Sequence, residues 1–261
     1  MSHIDIEDLT IAYPSADGLG EFVALDGLSL SIDRGTFVTI LGPSGCGKSS
    51  LLLAVDGLVA PARGRVRIDG RIVTGPGRER AMVFQEFALM PWRTVLENVR
   101  FGLELQRVPA RDANATSRQL IELVGLSGFE HHHPHQLSGG MRQRVGIARA
   151  LAVEPEILLM DEPFGALDAQ TREVMGRELL RIWRLNAQTT LFVTHSIDEA
   201  IFLGDRVVVL TGRPGRIRES VTIDLPRPRT VEMTDTPVYA ACRRRIRALL
   251  TECGGPEEGD G

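Results

Sequence analysis

The sequence predicts an α/β fold, and three stretches carry that prediction. Gly42-Pro43-Ser44-Gly45-Cys46-Gly47-Lys48-Ser49-Ser50 fits G-x-x-x-x-G-K-[ST] and lies between an apolar run, Phe37 to Leu41, and a helical pattern, Leu51 to Val55. Ile157 to Met160 is apolar throughout and ends on Asp161-Glu162. Thr189 to Thr194 is rich in β-branched residues and ends on His195.

The first stretch has the composition of a phosphate cradle. Gly42, Gly45 and Gly47 let the backbone wrap closely enough for its N–H groups to face phosphate oxygens, and the helix that starts near Lys48 adds its positive end. Lys48 neutralises the outer phosphates, and the Ser49 hydroxyl suits Mg²⁺, a cation that takes oxygen ligands and arrives with the nucleotide. Asp161 and Glu162 complete the chemistry. A buried strand that ends in two acids beside such a loop uses the first to hold the metal shell and the second to orient or deprotonate an attacking water.

Composition limits the alternatives. At 261 residues with 43% hydrophobic content, the chain can bury a large core without covalent staples. Its 30 basic and 34 acidic residues leave a net charge of -4, which gives no electrostatic footprint for nucleic acid. The three cysteines, Cys46, Cys242 and Cys253, are odd in number and one lies inside the glycine-rich loop, so a reducing compartment is expected. No secretion signal opens the sequence, and no uncharged apolar run reaches the roughly 18 residues that a membrane span needs. Membrane association is therefore expected only through a partner.

Along the chain, the alternation from Ile4 to Ile32, broken by Pro14-Ser15-Ala16-Asp17-Gly18, predicts antiparallel strands leading into the phosphate loop. Tyr13 ends the first of them, where it can lie against an adenine ring or serve as ordinary strand filling. Arg65 to Ile68 and Arg71 to Val73 flank Asp69-Gly70 as a hairpin. Ala81 to Phe84 is predicted as a short buried strand ending on Gln85, a polar residue placed to reach a metal or the attacking water. Helical patterns follow at Thr94 to Leu105 and Arg111 to Val124, with Pro109 and Gly125 as breaks. His131-His132-His133-Pro134-His135 reads as an exposed loop in preference to a metal site.

Ser138 is placed to cap a helix whose apolar positions Met141, Val145, Ala148 and Leu151 share one face; a capped helix start after glycines is a second anion site or a plain helix start. Gly165 to Asp168 turns into a helix running from about Ala169 to Leu185, and Ser196-x-x-Glu199 is a capping box. The last helix, Thr236 to Leu250, sets Val238, Cys242, Ile246 and Leu249 on one side and four arginines largely on the other. Gly254 to Gly261 reads as a disordered polar tail.

Together these residues resemble the ATP-binding-cassette ATPase family over almost the whole chain. The specific element is Leu137-Ser138-Gly139-Gly140 between a phosphate loop and an Asp-Glu strand end. The resemblance implies a P-loop NTPase core of RecA-like type, with an N-terminal antiparallel β subdomain and an inserted helical subdomain. The expected boundaries are 4-235 for the ATPase domain, with 4-85 and 153-225 as nucleotide-binding core, 86-152 as helical subdomain, and 226-261 as C-terminal helix and tail.

It also assigns roles. Gly42, Pro43, Ser44, Gly45, Cys46, Gly47, Lys48, Ser49 and Ser50 form the ATP loop, with Tyr13 as the adenine-stacking aromatic, and Ser138, Gly139, Gly140 and Asp168 as further nucleotide contacts. Ser49, Gln85 and Asp161 are the Mg²⁺ ligands, and Glu162, His195, Lys48 and Gln85 carry catalysis. Two copies are expected to pair head to tail, so that Ser138 and Gly140 of one meet the ATP held by Lys48 of the other.

Val83 to Val99 and Asp161-Glu162-Pro163-Phe164-Gly165-Ala166-Leu167-Asp168 look like the nitrate, sulfonate and taurine importer group. That likeness implies a peripheral subunit on the cytoplasmic face of the membrane. It would bind a separate permease beside Gln85, with Phe87, Leu89 and Trp92 as apolar contacts, and would serve a solute-binding protein indirectly. The alternative is a soluble ATPase of the same family acting on nucleic acid or the ribosome. Too few residues separate Lys48 from Ser138 for the long coiled coil of the chromosome-organising relatives.

Overall fold

In the computed structural model the described residues are 2–15, 20–165 and 167–253. Ala16, Asp17 and Gly18 of the expected turn, Ala166, and the tail Gly254 to Gly261 lie outside them. The chain forms two units, 2–77 with 188–253, and 78–187. The first unit begins with β1 (Ser2–Pro14), β2 (Glu21–Asp33), β3 (Phe37–Leu41), α1 (Lys48–Asp56), β4 (Arg63–Ile68) and β5 (Arg71–Ile72). The second holds β6 (Arg80–Val83), α2 (Val95–Leu105), α3 (Ala110–Leu123), α4 (Gly139–Ala152), β7 (Ile157–Asp161) and α5 (Ala169–Asn186). The chain then returns to the first with β8 (Thr189–Val193), α6 (Ile197–Leu203), β9 (Arg206–Leu210), β10 (Ile217–Thr222) and α7 (Pro237–Cys253).

In the first unit, β3 is a central strand between parallel β8 and β9 and is buried at all five residues. A strand covered on both faces reads as a near-continuous apolar run, broken here by Thr39, whose buried hydroxyl donates to Ala200 O at 3.1 Å. Phe37 and Phe192 meet across the β3–β8 pair at 5.9 Å between ring centroids. The antiparallel sheet, in the order β2-β1-β4-β5, matches the alternation of its sequence. The β4–β5 turn is the predicted hairpin: Asp69 (φ 47°) and Gly70 (φ 76°) both take the left-handed conformation that a tight two-residue turn requires.

The last helix corrects one reading. Tyr239 and Ile246 are the buried residues of α7, with Cys242, Leu249, Leu250 and Cys253 packed partly against the same cluster, whereas Val238 is 47% exposed. The alternating three- and four-residue spacing from Tyr239 to Cys253 makes a continuous stripe, and Val238 lies one position off it.

In the second unit, β6 pairs in parallel with β7 from Arg80↔Ile157 to Val83↔Met160. The expected buried strand Ala81 to Phe84 therefore shifts: pairing runs out at Val83, and Phe84 is 36% exposed. Helices α2, α3 and α4 pack on one another. Thr94 caps α2 through a reciprocal bond with Glu97, the Thr94 Oγ1 accepting from Glu97 N–H at 3.3 Å and Glu97 Oε2 accepting from Thr94 N–H at 2.8 Å. Asn98, fully buried, organises the loop before α2. Its Oδ1 accepts from Met90 N–H (2.9 Å), and its Nδ2 donates to the carbonyls of Met90 (3.2 Å), Arg93 (3.0 Å) and Thr94 (2.9 Å).

Asn98→Ala should lower the free energy of unfolding by about 2–3 kcal/mol, since it strands buried backbone groups of that loop. Urea denaturation followed by circular dichroism measures this, and an unchanged midpoint would deny the organising role.

Candidate functional site

β3 delivers the chain to Gly42, and α1 takes it away at Lys48. Between them the loop closes with Cys46 N–H donating to Pro43 O at 3.3 Å, and Leu51 N–H donates to Gly47 O at 2.9 Å. Gly47 permits the loop: its φ is 91°, and a Cβ there would stand 2.7 Å from the Ala24 carbonyl oxygen and from Leu25 Cδ2. Lys48 is only 7% exposed, and its Nζ donates to the carbonyl oxygens of Gly42 (2.8 Å) and Pro43 (2.9 Å). A buried ammonium needs such partners, and these hold it over the loop at the start of a helix, where anions bind. Ser44 and Ser49 are exposed, while Ser50 Oγ accepts from the Tyr13 hydroxyl at 3.1 Å. Tyr13 and the phosphate loop thus lie together.

Cys46 is buried, and burial pushes its thiol up from the usual cysteine value, with Lys48 opposing the shift. The Cys46 side chain is therefore protonated packing behind the cradle. Sequence reasoning did not find Arg213, which reaches back from the β9–β10 connection. Its Nε donates to Gly45 O at 3.1 Å, and its guanidinium lies 5.8 Å from the Phe22 ring, the residue paired with Tyr13 across β1 and β2. No spacing in the sequence could have signalled a contact spanning 168 positions.

β8 stops at Val193, one residue short of the expected strand end, so His195 follows it after the buried Thr194 and is itself exposed. The loop around it is tightly bonded: Thr194 Oγ1 donates to Glu199 Oε2 (2.5 Å) and accepts from Ser196 N–H (3.0 Å), while Ser196 Oγ accepts from Glu199 N–H (3.3 Å). Ser196 therefore caps α6, but the reciprocal half of the expected capping box is replaced: Ser196 N–H goes to Thr194 Oγ1, and Glu199 Oε2 accepts from that same hydroxyl.

In the second unit, Asp161 is the last residue of β7 and is 7% exposed. Glu162, half-buried, comes next with φ 43°, a left-handed conformation that costs a non-glycine residue of order 1 kcal/mol. Gln85 is exposed just beyond β6. Ser138 caps α4, its Oγ accepting from Met141 N–H at 3.3 Å. A Cβ added to Gly140 would lie 3.1 Å from Leu167 Cδ2, so the first turn of α4 abuts the segment that leads into α5. Asp168 caps α5, accepting from Thr171 N–H (2.9 Å) and Thr171 Oγ1 (2.7 Å), and these bonds hold its carboxyl below the usual carboxylate range. Gly140 thus lies against Leu167 and Thr171, the residues on either side of the Asp168 cap.

A groove of about 870 Å³ in this unit is lined by Gln85, Phe87, Leu89, Pro91, His135 and Arg142, among others. Two arginines of α4 shape it. The Arg142 guanidinium sits 5.0 Å from the Phe87 ring centroid, and Arg149 donates to the carbonyls of Ala88 (2.7 Å) and Phe87 (3.3 Å). Trp92 is 74% exposed. In the histidine run, His133 stacks on His135 and His132 packs on Phe129. Among the described residues, no helix is long and apolar enough to cross a membrane.

The chemistry of these groups is plain. One unit offers an N–H-lined loop with an ammonium, and the other a buried carboxylate, a half-buried one and a capped helix start. The model of the ABC transporter family matches residues 25–165. The chain is 58% identical over 229 residues to an uncharacterised ABC transporter ATP-binding protein of Methanocaldococcus jannaschii, covering 88% of this chain and 85% of that one. It is 49% identical over 233 residues to a taurine import ATP-binding protein of Rhizobium johnstonii (87% and 88% covered). It is 44% identical over 254 residues to a nitrate import ATP-binding protein of a Synechocystis species, with 95% of each covered. In structure it is similar to a bacterial ABC transporter cassette solved as a dimer, at 33% identity and a TM-score of 0.78, over 85% of this chain and 100% of that one. The chain belongs to the ABC transporter family, as an ATPase cassette of it.

Proposed function

We propose that this chain is the ATP-hydrolysing subunit of an importer, acting on a separate membrane permease from the cytoplasmic face. The carrying observation is the buried Lys48 ammonium, held by the phosphate-loop carbonyls at the start of α1. The import reading draws on the taurine and nitrate relatives, and the solute class is a small anion or zwitterion of that kind. On this reading Gly42 to Ser50 hold the phosphates, and Tyr13 stacks on the adenine. Residues 4–85 and 153–225 serve as nucleotide-binding core, 86–152 as the helical arm, and 226–261 as a C-terminal appendage.

Mg²⁺ fits the donor set. Ser49, Gln85 and Asp161 offer only oxygen ligands, with Asp161 a buried carboxylate at a strand end, and the ion when bound neutralises phosphate charge. Glu162 takes the proton of the attacking water, Lys48 draws charge from the outer phosphates, and His195 donates to the γ-phosphate oxygen. The partner copy closes the site by bringing the capped start of α4, with Ser138, Gly139 and Gly140, and the neighbouring Asp168 to the same nucleotide. A dimeric structural relative supports that pairing. The Gln85–Arg142 groove, with Phe87, Leu89 and exposed Trp92, receives the permease. A solute-binding protein then acts through the permease.

Glu162→Gln should reduce steady-state ATP hydrolysis about 100-fold or more while ATP still binds, and light scattering should find an ATP-dependent dimer that Ser138→Arg abolishes. Retained hydrolysis in Glu162→Gln would remove Glu162 as the base. Gly47→Ala should weaken ATP binding at least tenfold in a fluorescent-nucleotide titration, since the added Cβ has nowhere to go at a positive φ. An unchanged affinity would separate the loop from nucleotide binding.

A further inference from the structure

The C-terminal segment of the chain grips the helix that follows His195 at both ends. At the far end, Arg229, 7% exposed, donates through Nη1 to the carbonyls of Ile201 (2.8 Å), Phe202 (3.1 Å) and Gly204 (2.6 Å), which lie in and just beyond the last turn of α6. Those carbonyls have no partner within a helix that stops there, so a guanidinium is a suitable cap. Arg227 adds a bond from Nη2 to Leu203 O (2.7 Å) and one from Nε to Asp205 Oδ1 (2.8 Å). Asp205 Oδ2 in turn accepts from Phe37 N–H at 2.9 Å, the first residue of β3. The cap is thus anchored to the strand that leads into the phosphate loop.

At the near end, the Tyr239 hydroxyl of α7 donates toward Asp198, with its carbonyl at 3.1 Å and its Oδ1 at 3.3 Å. Arg243, one turn further along α7, pairs with the other carboxylate oxygen at 2.7 Å. Asp198 stands in the first turn of α6, three residues after His195, and the Thr194–Ser196–Glu199 bonds tie that turn to the His195 loop. Tyr239 is 2% exposed, so its hydroxyl has exchanged water for this contact and gains from being directed. Burial pulls the Arg229 guanidinium down to about 10, a cost that the three carbonyls offset.

We propose that Tyr239 and Arg229 are positioning residues for His195, and that the segment from Arg227 to α7 sets where its exposed imidazole is held during ATP hydrolysis. This rests on the reading that His195 serves the γ-phosphate. Exposed loops sample several positions, and a side chain placed about 1 Å wrong loses much of its effect on rate. A helix clamped at both ends removes that freedom from its first turn, and with it from the residue before the cap.

The test uses the full-length chain with Tyr239→Phe, which keeps the buried ring and removes only the hydroxyl, and Arg229→Lys as a second variant. Histidine-ring NMR spectra, with His195 assigned as the resonance missing from His195→Gln, should show the His195 signals shifted or broadened in both variants. Those of His131, His132 and His135 should stay in place. Tyr239→Phe should lower kcat for ATP about fivefold with KM for ATP within about twofold, and should cost less than about twofold more in a His195→Gln background. Unmoved His195 resonances, or the same loss of kcat with and without His195, would overturn the proposal. A kcat unaffected by His195→Gln alone would instead strike the γ-phosphate role, leaving the clamp to be judged by the resonances.

Discussion

The Lys48 ammonium, nearly buried and held by the carbonyls of Gly42 and Pro43, sets the constraint from which the rest of the first unit follows. A cation in that position has given up most of its water, so the loop around it must be rigid enough to keep both carbonyls within hydrogen-bond distance. Rigidity comes from the flanks. Strand β3 enters the loop between two parallel neighbours, and α1 begins on the lysine itself. Arg213 holds the Gly45 carbonyl from outside, and Tyr13 reaches Ser50 from the antiparallel sheet. Each contact restrains the loop between β3 and α1.

The second unit is held at other places by helix caps. Thr94, Ser138 and Asp168 each accept from a backbone N–H three residues ahead, and Ser138 and Asp168 stand at elements that the proposed mechanism uses. Glu162 bears a left-handed backbone immediately after a buried strand, a conformation that directs its carboxylate differently from a continued strand. The loop after Gln85 is held from α4 by Arg142 and Arg149, and from α2 by Asn98. Such a loop can receive a partner surface without collapsing onto its own core.

Much of this was legible in the sequence because the physics is local. A cap bonds three residues ahead, so Ser138 and Ser196 announce their helices. The Asp69-Gly70 hairpin needs only two adjacent residues that tolerate positive φ. Runs of apolar and β-branched residues that end near Gly42, Asp161 and His195 mark strand ends, where ligand groups collect. The errors arose where a neighbour decided the outcome. Phe84 looked like strand interior, but its exposure follows from where β7 stops pairing. Val238 looked like core, but the stripe of α7 that meets α6, β9 and β10 runs through Tyr239.

By itself the sequence determined the phosphate loop, the carboxylate pair, the helix starts and the family, since each is written in residues a few positions apart. Tertiary structure alone decided that Arg213 would buttress Gly45, that Asn98 would knit the loop before α2, and that Arg229 and Tyr239 would clamp α6. The physical reason is range. A guanidinium or a hydroxyl can find its carbonyl on any element that packing brings within 3 Å or so, and no local pattern records which element that will be.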